Sequence, residues 1–360
     1  VIEALSKISS KIASDFQGKK ILITGSNGKT STTNIISKSL QKSSSTIRNF
    51  NNEIGLPISI MSANKDSKYI VLEAGAAKKG DIEYLSKIVK PDIGIITNIG
   101  NSHLEKLKNI EGVFKVKSEL IKNIRKGGTL IVPNNKKFLK RWIKMAKGIS
   151  VHPVPKDYIA TNEKVSRNKK IMTFDIILNS QVNKKSAPVS VTSSLIGQHN
   201  IQNILVCYEC LQVLGESDAR MLKVLKNISK FVSRQKIIEW KNKSTLIDDT
   251  YNANPESVKR SIDVLSGFPG RKIFIFGDMF ELGRYRRKHH KDIGKYANNS
   301  NIDTLITFGE LSSLASNEFQ KKSFNFCNEK KLKEFITNFI KKNDIVLIKG
   351  SRGMQMERFI

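Results

Sequence analysis

The chain is short of several things at once. Only three of its 360 residues are cysteine, Cys207, Cys210 and Cys327, too few for the disulfide framework that staples small secreted domains. Cys207 and Cys210 form a CxxC, but it sits in NIQNILVCYECLQVL, an apolar periodic run that predicts a helix. No second pair completes a zinc site, so both thiols are expected in the core. The apolar runs are strand-sized, well under the ~20 residues that cross a bilayer, which excludes a membrane span. With no signal peptide in the chain, the cytosol is the expected compartment. Acidic residues are also scarce: 32 Asp and Glu face 62 Lys and Arg, a formal net charge of +30. A basic surface can hold nucleic acid. Here, however, the lysines are scattered among Asn, Ser and Ile, and no stretch interleaves arginine with aromatics as a single-strand stacking platform would. Lysine used as the default solvated residue, with a general attraction for small anions, accounts for the excess.

What is present is an alternation. The length allows two or three domains. VIEALSKISSKIA has helical spacing and predicts a connecting helix over residues 1–17. From Lys19, the β-branched runs KKILITG, KYIVLEAG and DIGIITNIG alternate with the periodic runs TSTTNIISKSLQK and GDIEYLSKIVK, which predicts βαβ units and a parallel sheet buried on both faces. Strand-like pieces between Gly128 and Ser194, among them GGTLIVPNN and KIMTFDIILNS, read as a β-rich elaboration of the same domain. The fold class is therefore α/β, with a central domain of mostly parallel sheet over residues 18–230. A polar break from Ser229 to Arg234 is the expected boundary. Residues 231–360 then repeat the alternation in STLIDDTYNANP, RKIFIFGDM, IDTLITFGE and DIVLIKGSRG. These predict a Rossmann-like, doubly wound domain with ligands at the carboxyl ends of its strands.

The chemistry starts in TGSNGKTST. Small residues at Gly25, Asn27 and Gly28 let backbone N–H groups converge on an anion, and the helix that follows presents its positive end. Lys29 would reach the terminal phosphates of ATP and the Thr30 hydroxyl would ligate Mg²⁺, with Ser31 in the same turn. The general phosphate-loop pattern places a glycine five residues before the Gly-Lys pair. That position is Ile23 here, and the glycine falls at Gly25.

The shortened loop resembles the ATP-binding loop of the Mur ligase superfamily. NNEIGLP, EAGAAKKGDIEYL, KPDIGIITNIGNSHLE, GQHNIQN, DDTYNANPESV, GDMFELG and KGSRGMQMER resemble that family's successive blocks in order, over essentially the whole chain. The pairing of YNANP with GDMFELG points to the members that add D-alanyl-D-alanine to UDP-N-acetylmuramoyl-tripeptide. The resemblance implies ATP-dependent amide bond formation through an acyl phosphate in peptidoglycan precursor synthesis, by a monomeric enzyme using ATP and two Mg²⁺. It implies Glu73 as a magnesium ligand, with helix capping as the alternative, and His103 at the second magnesium. Lys117 matches the family lysine that is carbamylated by CO₂ to help hold that metal; its context is KSE where relatives commonly show KGE, and a solvated face is the alternative. His199, Asn200 and Asn203 resemble adenine-side contacts, with capping open for Asn200. Arg234, Asp249, Tyr251 and Asn252 resemble the residues that the C-terminal domain brings onto the nucleotide, and Asn254 reads also as a plain N-cap.

The family's N-terminal uridine-nucleotide-binding domain has no counterpart before the loop, and a start at Val1 within a helical run is expected of a truncated chain. Two other readings compete: another ligase of the superfamily, of the folylpolyglutamate or third-residue-adding type, and a basic P-loop protein that binds nucleic acid.

Overall fold

A computed structural model of the protein describes residues 1–155, 158–166, 171–178, 188–231 and 235–360. These fall into two compact units, residues 1–100, 109–166 and 171–228 in the first, and residues 101–108 and 229–360 in the second. Arg234 lies outside the described residues, as does part of the polar break before it.

The first unit opens on α1 (Ile2–Asp15), then β1 (Lys19–Thr24), α2 (Lys29–Ser39), β2 (Ser43–Ser45), α3 (Gly55–Met61), β3 (Tyr69–Glu73), α4 (Asp81–Val89) and β4 (Ile93–Ile96). A short helix, α5 (Leu104–Leu107), belongs to the second unit. The first resumes with α6 (Ile110–Ser118), β5 (Thr129–Pro133), α7 (Leu139–Met145), β6 (Ser150–Val154), β7 (Tyr158–Ser166), β8 (Ile171–Leu178), β9 (Val189–Ser193), α8 (Gln198–Leu214) and α9 (Ala219–Leu225). Its six-stranded sheet runs β2-β3-β1-β4-β5-β6 and is parallel throughout. Ile21, Leu22 and Ile23 of β1, central in that sheet, have no exposed surface, as expected of a strand covered by helices on both faces. The β-rich elaboration is narrower than the strand-like pieces imply. β5 and β6 extend the parallel sheet, and only β7, β8 and β9 form a separate antiparallel one. GGTLIVPNN belongs to the main sheet because Ile131 and Val132, alternate neighbours on opposite faces, are both fully buried.

The second unit contains β10 (Lys236–Trp240), β11 (Ser244–Asp248), α10 (Pro255–Ser266), β12 (Lys272–Gly277), α11 (Arg286–Asn299), β13 (Thr304–Phe308), α12 (Ser313–Ser316), β14 (Lys322–Phe326), α13 (Glu329–Phe339) and β15 (Ile345–Lys349). Its sheet runs β10-β11-β15-β12-β13-β14, parallel except for β10, which pairs antiparallel at the edge. The four strands read from sequence are its four inner ones. The edge strands carry polar alternation, as in KSFNF, and lack the continuous apolar signature.

One cluster in the first unit bears on the site. Phe114 of α6 stacks on Phe138 at 4.6 Å between ring centroids, and both rings pack on Trp142 of α7. The buried Trp142 indole donates to Ser118 Oγ at 2.9 Å, so the serine beside Lys117 has a partner that glycine could not supply. Trp142→Ala is expected to cost about 3–5 kcal/mol, read as a lower urea midpoint. Trp142→Phe, which keeps much of the packing and drops the indole hydrogen bond, should cost about 1–2 kcal/mol.

Candidate active site

β1 ends at Thr24 and α2 begins at Lys29, with four residues making the turn. Glycine is required twice in it. A Cβ on Gly25 (φ +151°) would lie 1.9 Å from Thr97 Oγ1, and one on Gly28 (φ +82°) would lie 2.4 Å from Asn203 Oδ1. The turn is pinned by the end of β4. Asn98 accepts from the Asn27 N–H and donates to the Asn27 carbonyl, both at 2.9 Å, and Thr97 Oγ1 donates to that same carbonyl at 2.6 Å. Ser26 exchanges two hydrogen bonds with the backbone of Gly100. Gly28, the N-cap of α2, has no side chain to cap the first turn, and uncapped amides at a helix start are a ready anion site. Lys29, Thr30 and Ser31 occupy that first turn, with Lys29 Nζ donating to the Gly25 carbonyl at 2.7 Å. The rigid loop, the uncapped amides and the adjacent ammonium group suit a polyphosphate.

Two asparagines of α8 are tied to the protein itself. Asn200 is buried and donates to the Ile196 carbonyl at 3.0 Å, ahead of its own helix. Asn203 donates to Asn200 Oδ1 at 3.4 Å and packs its amide against Gly28. Asn203 thereby backs the phosphate turn at Gly28. His199, by contrast, is partly exposed at the start of the same helix.

Lys117, on the last turn of α6, is fully buried in unit one, and burial, assisted by the charge of Lys29, pushes its amine down to about 7 against the weaker pull of Asp81, Glu119 and Glu73. The solvated-face alternative is therefore excluded. Glu73 ends β3 with 2% of its surface exposed. Its Oε1 accepts from Asn51 Nδ2 at 2.9 Å and its N–H donates to Thr46 Oγ1, so it is not a helix cap. That capping task falls to Glu119, which accepts from the Gly80 and Glu83 N–H groups at the start of α4. Among the described residues no three His, Cys, Asp or Glu side chains converge as a metal cluster. The Thr30 hydroxyl and the Glu73 carboxylate are hard oxygen donors that fit Mg²⁺, an ion that takes much of its shell from phosphates and water.

In the second unit His103 adopts a left-handed conformation (φ 51°) at the start of α5, with Nδ1 2.6 Å from Glu281 Oε2. The contact holds the Glu281 carboxyl below the usual carboxylate range. Asp249, just past β11, is buried and receives Lys349 Nζ and Ser261 Oγ, each at 2.6 Å on Oδ2. Lys349 also donates to the Asn252 carbonyl at 2.9 Å, and Asn252 Oδ1 accepts from the Arg352 N–H. Tyr251 is partly exposed beside them. Asn254 caps α10 in a reciprocal arrangement with Ser257, which confirms the N-cap reading. Lys349, Asn51 and Asn98 went unassigned from sequence. For Lys349 the available signal was a charge closing the apolar strand IVLIK.

A phosphate turn on a parallel sheet, followed by a second doubly wound unit, defines a two-domain P-loop nucleotide-binding protein. The Mur ligase middle domain matches residues 23–211 and the Mur ligase glutamate ligase domain matches residues 233–352; the chain belongs to the Mur ligase family, a family of ATP-dependent ligases. It is 34% identical over 368 residues to the UDP-N-acetylmuramoyl-tripeptide–D-alanyl-D-alanine ligase of Buchnera aphidicola subsp. Baizongia pistaciae, covering 98% of this chain and 77% of that protein. It is 30% identical to the Bacillus subtilis ligase of the same name, covering 100% of this chain and 79% of the other. Among solved structures it is similar to MurF from Acinetobacter baumannii, with a TM-score of 0.90, 29% identity and coverage of 99% and 79%. It is likewise similar to the Thermotoga maritima MurF ligase in complex with ADP, with a TM-score of 0.88, 26% identity and coverage of 99% and 82%. No helix among the described residues is long and apolar enough to cross a membrane.

Gly28→Ala is expected to weaken ATP binding at least ~10-fold by calorimetric titration, since the new methyl meets Asn203 in a left-handed backbone. Lys349→Ala leaves the Asp249 carboxylate buried without its cation and should cost about 3–5 kcal/mol in denaturant melts.

Proposed function

We propose that this chain joins D-alanyl-D-alanine to UDP-N-acetylmuramoyl-tripeptide at the expense of ATP, as a monomer in the cytosol, in the synthesis of peptidoglycan precursors. The single observation that carries the site assignment is Lys117, a buried amine held near neutrality beside Lys29 and Glu73. The names and extent of the relatives supply the substrate pair.

Joining a carboxylate to an amine is uphill in water, so the carboxylate must first become a better electrophile. It takes the γ-phosphoryl group of ATP to give an acyl phosphate; the amine of the dipeptide attacks, a tetrahedral intermediate forms, and phosphate leaves with the C–O bond electrons. Phosphoryl transfer is mostly a matter of positioning and charge. The turn from Gly25 to Ser31 holds the phosphates, and Lys29 exchanges its contact with the Gly25 carbonyl for the γ-phosphate. Magnesium, when bound, supplies the charge neutralisation that lets two anions approach. Thr30 and Glu73 would hold it in the first unit; by resemblance His103, whose Nδ1 lies 2.6 Å from Glu281 Oε2, would serve a second magnesium. Lys117 would capture CO₂ through its neutral amine, forming an N–C bond and releasing one proton, so that a buried cation site becomes an anionic oxygen ligand. By resemblance Asp249 would accept from ribose hydroxyls, Tyr251 and Asn252 would serve the nucleotide, and His199 the adenine.

D-alanyl-D-alanine is expected to stimulate phosphate release in the presence of the UDP-tripeptide, while glutamate and diaminopimelate do not; stimulation by either of those would assign the chain to another branch of the superfamily. Lys29→Ala should lower turnover by at least ~10³-fold with an unchanged melting temperature. Lys117→Ala should lose most activity and regain part of it with added short carboxylic acids, and no recovery would remove the carbamate. Because only the neutral amine reacts with CO₂, and Lys117 titrates at about 7, bicarbonate-dependent activity should fall as pH drops through 7 and level off above it.

A further inference from the structure

The excess positive charge is mostly scattered along the sequence, but one run departs from that reading and does set an arginine between aromatic residues. From Lys136 to Lys147, KKFLKRWIKMAK carries six basic residues and no acidic one, and it folds as α7 with its flanks. The two aromatic rings of this stretch point inward, with Phe138 at 2% and Trp142 at 0% exposure. What faces water instead is aliphatic: Ile143 and Met145 are 55% and 43% exposed, on either side of Lys144. Arg141 is spent on Glu111 and lies over the Phe114 ring. Lys136, Lys140, Lys144 and Lys147 are exposed, and none is in an ion pair among the described residues. Beside α7 lies an open recess of about 570 Å³, lined by Ile124, Ile149 and Met145 together with Lys126, Lys144 and Lys147.

This combination selects among anionic partners. Single-stranded nucleic acid is gripped by exposed aromatic faces, and here the aromatics are buried. An isolated anionic metabolite has no use for two exposed aliphatic side chains. An interface with negative headgroups above and acyl chains below accommodates both, since lysine stems lie along apolar surface while their ammonium groups stay at the phosphates. We propose that α7 and the recess beside it form a docking surface for an anionic phospholipid bilayer, with Ile143 and Met145 entering the headgroup layer and the lysines meeting lipid phosphates. The inference rests on the first unit alone and is independent of the ligase reading.

The test is co-sedimentation of the full chain with vesicles of phosphatidylcholine, with or without about one-third phosphatidylglycerol. Binding is expected to anionic vesicles at low salt, and to be at least ~10-fold weaker on neutral vesicles or at about 0.5 M salt, where the Debye length is only a few ångströms. Lys144→Glu combined with Lys147→Glu should abolish it. Ile143→Ser, which leaves the charge unchanged, should weaken it several-fold. All three positions are exposed, and an unchanged thermal midpoint verifies that the variants remain folded. Equal binding to neutral vesicles, no binding to either, or indifference to charge reversal overturns the proposal. An indifferent Ile143→Ser also overturns it, and tight binding of a single-stranded RNA oligonucleotide through the same lysines would then give the face to nucleic acid.

Discussion

The first unit is organised around a lysine that water cannot reach. Removing an ammonium group from water without a close counter-ion disfavours its proton, and Lys117 is such a case, held down to about 7 by burial and by the neighbouring Lys29. Against a solvated lysine this costs on the order of 5 kcal/mol near pH 7, and the surroundings have to supply it. They do so through packing: Phe114, Phe138 and Trp142 lock α6 and α7 together, and Trp142 reaches Ser118 next to the lysine. The carboxylate of Glu119, two residues on, is occupied at the start of α4 and cannot swing in to form an ion pair. The result is a nucleophilic amine in a setting where lysine would otherwise be an inert cation.

Two other buried lysines are partnered, although burial lowers the amine of Lys20 as well. Lys20 is as inaccessible as Lys117, but its Nζ donates to the Ala13 carbonyl at 2.6 Å, close to the C-terminus of α1, where a positive charge is favoured. Lys349 is equally buried and is answered by Asp249 and the Asn252 carbonyl. Each of these two ties one element to another. Lys117 makes no such pair among the described residues, and its nearest charges act only at a distance. A buried ion pair is a poor source of net stability but is costly to break, which suits Lys349 to fixing a loop. An unpaired buried amine is suited to being modified.

Much of this was legible in the sequence where a local rule applies. The phosphate turn follows from small residues between an apolar strand and a helix, and Glu73 follows from its place at a strand end. The inner strands of both sheets were visible as continuous apolar runs, while β10 and β14 were not, because edge strands are half solvated and alternate like loops. The elaboration was drawn too wide because GGTLIVPNN is strand-like in either setting, and only pairing with β4 decides which sheet it joins. Long-range partners were out of reach. Nothing local announces that Asn203, on a helix far along the chain, buttresses Gly28, or that Lys349 closes on Asp249 across 100 residues of sequence. Nor does spacing show that His103 meets Glu281, a contact that depends on two separate left-handed residues.

Both units place their polar residues at the same kind of location, and the reason is geometric. In a parallel sheet every strand delivers its carboxyl end to one edge, where the following helices begin and uncapped amides gather. In the first unit that edge carries the turn after β1, Glu73 at the end of β3, and Thr97 and Asn98 after β4. In the second it carries Asp249 after β11, Asp278 after β12 and Lys349 at the end of β15. Asp278 is occupied there by the Leu311 and Ser312 N–H groups after β13, and Gly309 leaves no room for a side chain beside it. The two edges differ in what they leave uncommitted. In the second unit Asp278 and Lys349 spend their hydrogen bonds on neighbouring loops, so that edge is largely self-satisfied. In the first, the hydrogen bonds of Asn98 and Thr97 go into holding the glycine turn, and Asn203 packs its amide against Gly28. The turn that opens α2 thus shares its unit with Lys117, whose buried amine is brought down to about 7 partly by Lys29 of that same turn.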